Sequence, residues 1–509
     1  MEGGAAALRR FPSLYQINTR AHLYEAGEAV GRPATFDDFS EAELDRIATE
    51  SFDWVWLLGV WQTGDAGRAV SRRPEWQAEY REALVDFSPA DVSGSPFAVR
   101  EYVVHRDFGG PAALERLRGR LRSRDVRLML DFVANHTALD HPWVYEHPEF
   151  YVHGTEDDLA REPHNYLRAN TRTGSRVLAH GRDPYFPGWP DTAQLNYRHE
   201  ALRQAMTSVL RQISEQCDGV RCDMAMLLLP DVIARTWGER SRPADGSAAV
   251  DEPFWPGAID QIRRLRPDFV FMAEVYWGLE ATLQRQGFDY TYDKQLYDQL
   301  RAGADADTII AHLRAEPEFQ RRSVRFLENH DEPRAAAAFA PATHCAAAVL
   351  ALLAPGLRLV HEGQLTGRRV RASNHLRRRA PEPIDRELET FYTRLLAIMR
   401  REEVREGQWR LLEREPDANG TSSWRQLVAY SWEREERRLL VAVNWGPDRG
   451  RGYVRLQFTG LDGSTWRLTD LLDSTLRYER DGTELAKRGL YLDLPGWRPT
   501  VLALSPAER

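Results

Sequence analysis

The chain has 509 residues, 42% of them hydrophobic and 28% charged, with 76 acidic against 68 basic side chains for a net charge of −8. That is enough for more than one domain, although an α/β barrel alone can absorb roughly 250 residues or more. Mixed-sign segments such as Leu114-Glu115-Arg116-Leu117-Arg118 read as solvated helix faces, no basic stripe stands out for nucleic acid, and no run approaches the ~18 apolar residues of a membrane span.

The stretch Met1 to Arg10 carries no apolar run long enough for a signal peptide, and the three cysteines, Cys217, Cys222 and Cys345, cannot pair completely. Both features lead to the expectation of a soluble protein in a reducing, cytoplasmic compartment. From about residue 12 to 402, short β-prone runs alternate with helical stretches, the pattern of parallel βα units. Strands are predicted at 13–17, 54–58, 127–131, 219–223, 270–274, 289–292, 324–328 and 357–361, eight in all, as a (β/α)8 TIM barrel requires.

Residues 137–196 are crowded with His, Pro, Trp, Tyr and Gly and show little helical period. A connection that long is functional or a small subdomain. It is read as an insertion over the barrel mouth whose aromatic rings either stack on sugar faces or pack on one another. The barrel then comprises residues 1–136 and 197–402. Beyond it, residues 403–509 show short β-prone runs, including Tyr453 to Phe458 with its period-two alternation, bounded by turn signals at Gly446-Pro447-Asp448 and Asp462-Gly463. A C-terminal antiparallel β-sandwich domain is expected there. Trp445 or Trp497 could offer it a sugar platform, with core the safer assignment.

Three of the predicted strands end in acids: Gly219-Val220-Arg221-Cys222-Asp223, Phe271-Met272-Ala273-Glu274 and Phe326-Leu327-Glu328-Asn329-His330-Asp331. Barrel active sites are assembled from the C-terminal ends of different strands, and two carboxyls in unlike environments are the minimum for glycoside cleavage. Residues two apart on a strand share a face, so Arg221 and Asp223 point into the barrel while Cys222 points to the helix layer. The guanidinium favours an ionised Asp223, the state a nucleophile needs, although an Arg-x-Asp alone also fits an ordinary strand-end ion pair. Glu274, between apolar Phe269 to Ala273 and Val275-Tyr276-Trp277, is expected to hold its proton and serve as general acid; a place near the next helix start is the plainer alternative. His330 with Asp331, and Asn135-His136 after the third strand, add groups suited to sugar hydroxyls.

In this order the four segments resemble the signature regions of the α-amylase superfamily of retaining α-glycosidases and transglycosidases, over roughly residues 12–402. The resemblance implies Asp223 as nucleophile, Glu274 as general acid/base and Asp331 as the acid that holds substrate hydroxyls, with Arg221, His136 and His330 lining the subsite of the cleaved sugar. Phe97, in Phe97-Ala98-Val99-Arg100-Glu101-Tyr102, stands where a stacking Tyr is common and keeps the ring without the hydroxyl.

Asn135 matches a residue that often ligates calcium, but Gln194-Leu195-Asn196 replaces an Asp-Leu-Asn pattern, Leu227 stands where a His is common, and the loop expected at Asn18 to Gly27 lacks an Asp-rich pattern. Calcium prefers several oxygen ligands including carboxylates, so no metal or cofactor is expected. Met226 and Leu227, in place of a Lys-His pair, are expected to make the acceptor side less polar and to favour short α-glucosides or malto-oligosaccharides over long starch. The sequence-level reading is a retaining α-glycoside hydrolase acting by double displacement. A transglycosidase or phosphorylase with the same residues, and an inactive carbohydrate-binding barrel, stay open as alternatives.

Overall fold

The computed structural model describes residues 9–507 except 51, 418, 419 and 421. The first eight residues, on which much of the N-terminal reading rests, lie outside the described residues. Eight parallel strands close into a barrel: β1 Ser13–Asn18, β2 Trp54–Leu58, β3 Arg127–Val133, β4 Gly219–Asp223, β5 Val270–Ala273, β6 Tyr290–Tyr292, β7 Ser323–Arg325 and β8 Leu357–His361. They follow one another around the ring, β1 pairing both β2 and β8. Their composition explains it. Trp-Val-Trp-Leu-Leu in β2 is buried at every position, as a strand covered by side chains inside and helices outside must be. The helix Glu200–Gln216 supplies such a cover, burying Leu202, Met206, Leu210 and Ile213 at near-helical spacing.

Three sequence-level boundaries move. The strand predicted at 324–328 ends at Arg325, because Glu328 leaves the ladder to accept from Arg334 Nη1 and the Ala335 amide, both at 2.6 Å. The loop expected at Asn18 to Gly27 is a helix, Thr19–Val30, with Asn18 as N-cap accepting from the Ala21 amide and Gly31 closing it in a left-handed conformation. In the C-terminal domain the run read as Tyr453 to Phe458 is a strand only over Gly450–Val454. Its partner Leu490–Leu494 starts opposite Val454, directly after the helix Gly482–Arg488, so pairing has nowhere to continue.

Between β3 and β4 the insertion is built from two short antiparallel pairs, His136–Ala138 with Thr192–Gln194 and Tyr166–Thr171 with Gly174–Ala179, plus the helices Pro142–Glu146 and Glu156–Arg161. Phe150, Tyr151 and Tyr166 form its core, whereas Tyr145, Tyr185 and Phe186 are exposed. The C-terminal domain pairs a six-stranded with a three-stranded antiparallel sheet. It is welded to the barrel by buried aromatics whose polar atoms are satisfied across the joint: Tyr430 Oη donates to Val349 O at 2.9 Å, Trp432 Nε1 to Leu353 O at 2.9 Å and Trp445 Nε1 to Ala304 O at 2.7 Å. Trp445 is therefore interface core rather than a sugar platform, with Trp497 packed edge-on against it at 5.1 Å.

No helix among the described residues is long and apolar enough to cross a membrane.

Candidate active site

The C-terminal ends of β4 and β5 and the segment after β7 bring the three acids to one face. Arg221, fully buried on β4, lies at the centre: Nη1 donates to Asp223 Oδ1 at 2.6 Å and Nη2 lies 2.7 Å from Glu274 Oε2. The guanidinium is packed over three rings, Trp56 and Phe97 at 5.3 Å and Tyr292 at 5.9 Å. Aromatic faces tolerate a buried guanidinium that would otherwise be costly to desolvate. Asp131 of β3, held by Trp56 Nε1 at 3.1 Å and the Gly59 amide at 2.7 Å, stands 3.8 Å from Arg221 Nη1 on the other side.

Glu274 is positioned by a second set of bonds. The Met224 amide donates to Oε2 at 2.7 Å and Tyr276 Oη to Oε1 at 2.8 Å. Met224 can do this because its backbone is left-handed, φ 42°, immediately after Asp223. A non-glycine residue in that region costs about 1–2 kcal/mol, and such strain gathers at working sites. Burial pushes the Glu274 carboxyl up to about 7, with Arg221 opposing and the charges of Asp223 and Asp331 adding to the rise. Burial also raises Asp223, outweighing the pull of Arg221. The guanidinium favours the ionised Asp223, as expected, but desolvation is the larger effect.

Asp331 behaves oppositely. His330 Nε2 lies 2.9 Å from its Oδ2, Asn374 Nδ2 donates to Oδ1 at 3.2 Å, and its carboxyl falls to about 2, desolvation being overcome by His330 and then by Arg221 and Arg371. His330 is fixed by a 2.8 Å hydrogen bond between its Nδ1 and the Gln16 amide, and its ring meets Trp56 edge-on at 5.5 Å and Phe97 at 5.4 Å. His136, buried and driven down to about 4 by desolvation, packs on Trp189 of the insertion at 5.1 Å and reaches the Phe97 backbone. All seven residues singled out in the sequence thus converge on one site.

Six further residues belong to it: Gln16, Trp56, Asp131, Tyr276, Tyr292 and Asn374. Trp56, Asp131 and Tyr292 lie in the strands predicted at 54–58, 127–131 and 289–292 and Tyr276 in the quoted Val275-Tyr276-Trp277, so a strand-face argument could have found them. Asn374 carries no sequence signal, since its contact depends on the long segment after β8 folding back over the mouth.

Met226 and Leu227 follow Asp223 in the short helical turn Ala225–Leu228 and are buried, at 0% and 4% exposure, as deeply as Arg221 and Glu274.

The residues matching a calcium site do not fit the ion. Gln194 Nε2 donates to Asn135 Oδ1 at 2.9 Å, Asn135 O at 3.0 Å and Leu195 O at 2.9 Å, while Gln194 Oε1 accepts from Asn135 Nδ2 at 3.1 Å. Two backbone carbonyls fix which end of the amide is the donor, and that nitrogen takes the oxygens a cation would need. Among the described residues no cluster of three or more His, Cys, Asp or Glu side chains is placed to hold a metal.

An eight-stranded barrel with three acids at the C-terminal ends of its strands and a subdomain inserted after the third defines the architecture of the α-amylase superfamily. The model of the α-amylase catalytic domain matches residues 98–410, more than half of the chain, and the chain belongs to that family. It is similar to the α-amylase MalA of Haloarcula japonica, 25% identical over 442 residues, covering 86% of this chain and 55% of that protein. It is also similar to the α-1,4-glucan:maltose-1-phosphate maltosyltransferase of Burkholderia pseudomallei, 27% identical over 290 residues, covering 56% of this chain and 21% of that one. The chain thus spans about half or less of the length of these curated relatives. Among solved structures, a maltogenic α-amylase from Thermotoga neapolitana superposes with a TM-score of 0.67 over 97% of this chain and 98% of that one, at 19% identity, a likeness of fold.

Proposed function

We infer that the chain is a retaining α-glycosidase acting on α-glucosides or malto-oligosaccharides. The observation that carries this is the single guanidinium of Arg221 ion-paired with both Asp223 and Glu274. One fork held to two carboxyls keeps them close, which favours the ~5 Å spacing of retaining pairs over the ~6.5–9.5 Å of inverting ones. In the first step the Asp223 carboxylate attacks the anomeric carbon. Glu274, whose raised pKa of about 7 keeps a large share of it protonated near neutral pH, delivers its proton from Oε1 or Oε2 to the departing oxygen. Glu274 then takes a proton from the incoming acceptor, which attacks the glycosyl-enzyme and frees Asp223. Asp331, ionised across the working range, accepts hydrogen bonds from substrate hydroxyls, and Phe97 and His330 bound the same sugar. The free thiols Cys217, Cys222 and Cys345 support action in a reducing compartment.

The test is turnover of maltoheptaose by the protein and its Asp223→Asn variant, reading the first anomer released. Release of α-anomers, lost by roughly 10⁴-fold or more in the variant, is expected; β-anomers first would overturn the retaining mechanism. The rate should fall as pH rises through about 7, where Glu274 loses its proton. Transfer to a sugar acceptor is the second reading, favoured by the similarity to a maltosyltransferase, and products longer than the substrate would identify it.

A further inference from the structure

The two oxygens of the Glu274 carboxyl meet unlike partners. Oε2 accepts from the Met224 amide at 2.7 Å and lies 2.7 Å from the Arg221 guanidinium, whereas Oε1 meets the Tyr276 hydroxyl at 2.8 Å. An amide N–H only donates and a guanidinium has no acceptor to offer, while a phenol hydroxyl both donates and accepts. A proton on Oε2 would point at an N–H and at a full positive charge. A proton on Oε1 finds a group that receives it or turns aside to the remaining lone pair, so the partners favour Oε1 as the oxygen that carries it.

Local structure holds Tyr276 in that place. Glu274 follows β5 directly, Val275 is fully buried in the core, and the Tyr276 ring packs against the same core two residues beyond the acid, the spacing at which side chains of an extended chain share a face. Burial raises the phenol well above its ordinary 10, and the charges of Glu274 and Asp331 add to the rise. The hydroxyl therefore keeps its own proton throughout the working range and is always available as a donor. The other phenol beside the acids, Tyr292, spends its oxygen on Arg221 Nε at 3.4 Å instead.

We propose that Tyr276 is a positioning residue for the general acid: its hydroxyl holds Oε1 as the oxygen that carries the proton and donates to the carboxylate that forms as that proton leaves. This rests on the glycosidase reading above. In the first step the proton passes from Oε1 to the glycosidic oxygen, the electron pair of the broken C–O bond leaves with that oxygen, Asp223 closes the new bond to the anomeric carbon, and the phenol keeps its own proton. The Tyr276 hydrogen bond then falls on an oxygen that is gaining charge, where such bonds are roughly twice as strong as between neutral groups. It stabilises the transition state more than the ground state, which is what speeds the step. The other charged and titratable groups facing Glu274 are Arg221 and Asp223 of β4, Tyr292 of β6 and Asp331 after β7, and all of them survive replacement of Tyr276.

The test is Tyr276→Phe, which keeps the ring and removes only the hydroxyl, on two substrates: maltotriose, whose leaving group needs a proton, and α-glucosyl fluoride, whose fluoride leaves with little help. On the pH plateau kcat/KM should fall about tenfold more on maltotriose than on the fluoride. The limb where activity is lost with rising pH should move up from about 7 by roughly one unit, because the ionised Glu274 has lost a donor. A 3-fluorotyrosine at position 276, nearly the same size and a stronger donor, should move the limb down instead. Equal losses on both substrates, or a limb that stays at its parent value with either replacement, would overturn the proposal and leave Tyr276 as packing. A parent inert on both substrates would remove the glycosidase reading, and the proposal with it.

Discussion

Two regions cover the mouth of the barrel by different physics. The inserted subdomain, 137–196, holds itself with backbone ladders and a small aromatic core, including a 2.9 Å hydrogen bond between Thr137 and Tyr151 hydroxyls. The segment from Glu362 to Asp385 has only the short turn Gln364–Thr366 and is held down mainly by charge. Arg379 pairs with Glu25 at 2.7 Å and Glu362 at 2.6 Å, Arg378 with Asp91 at 2.7 Å and Asp86 at 3.0 Å, and Arg371 with Glu79 at 3.1 Å. A minor apolar cluster of Tyr80, Leu84, Val92 and Leu376 assists. The first cover meets His136 through Trp189; the second meets Asp331 through Asn374. The insertion carries ion pairs too, such as Arg161–Asp158 and Arg172–Glu149, but a cover whose backbone ladders carry it depends less on salt and pH than one held mainly by ion pairs.

The contrast breaks most directly at Arg379. Removing one partner of a buried ion pair strands the other, so Arg379→Ala should cost about 3 kcal/mol, measured by denaturant unfolding. Its neighbours add a pH signature. His22, whose burial would lower its pKa, is raised to about 10 by Glu362 and Glu43, so its contribution is complete below its ordinary 6.5 and is lost as pH rises through about 10. Glu362 is held well below its ordinary 4.5, against burial, by Arg379 and His22, so its contribution is complete above 4.5 and is lost as pH falls. The cover should be most stable from pH 4.5 to 6.5, and a melting temperature that stays unchanged both as pH rises from 6.5 past about 10 and as it falls well below 4.5 would refute the ionic account.

On the other cover, Gln194→Ala takes their donor from Asn135 Oδ1 and the Leu195 carbonyl, while the Asn135 carbonyl keeps the Leu195 amide, and should cost roughly 2 kcal/mol. Chelation should leave the melting temperature of the parent unchanged. A drop on chelation would show that a cation, not the Gln194 amide, closes the root of the insertion.

Asn374→Ala cuts the side-chain bond between the charged cover and Asp331, and kcat/KM on a maltooligosaccharide should fall about tenfold with little change in stability. The smallest effect is that of salt. The exposed pairs Arg371–Glu79 and Arg378–Asp86 are worth under about 1 kcal/mol each, so 1 M salt should speed amide exchange modestly in residues 362–385 and less in 137–196, where ladders carry more of the structure. Equal acceleration in both would erase the distinction.

Periodicity and composition located the strands well where burial is continuous, as in β2 and β8, and poorly where one side chain leaves the ladder for a distant partner, as Glu328 does for Arg334. Arg221 with Asp223 was legible because a two-residue spacing puts them on one face whatever surrounds them.

What the sequence by itself determined is the eight-stranded barrel, the acids at its strand ends and a separate β domain, since all three follow from short-range period and spacing. The tertiary structure alone decided how those acids are charged. Glu274 and Asp331 are both carboxyls at strand ends, yet one is raised to about 7 by burial and the other falls to about 2 beside His330. The difference lies in desolvation and in neighbours brought from elsewhere in the chain, and it exists only once the barrel closes.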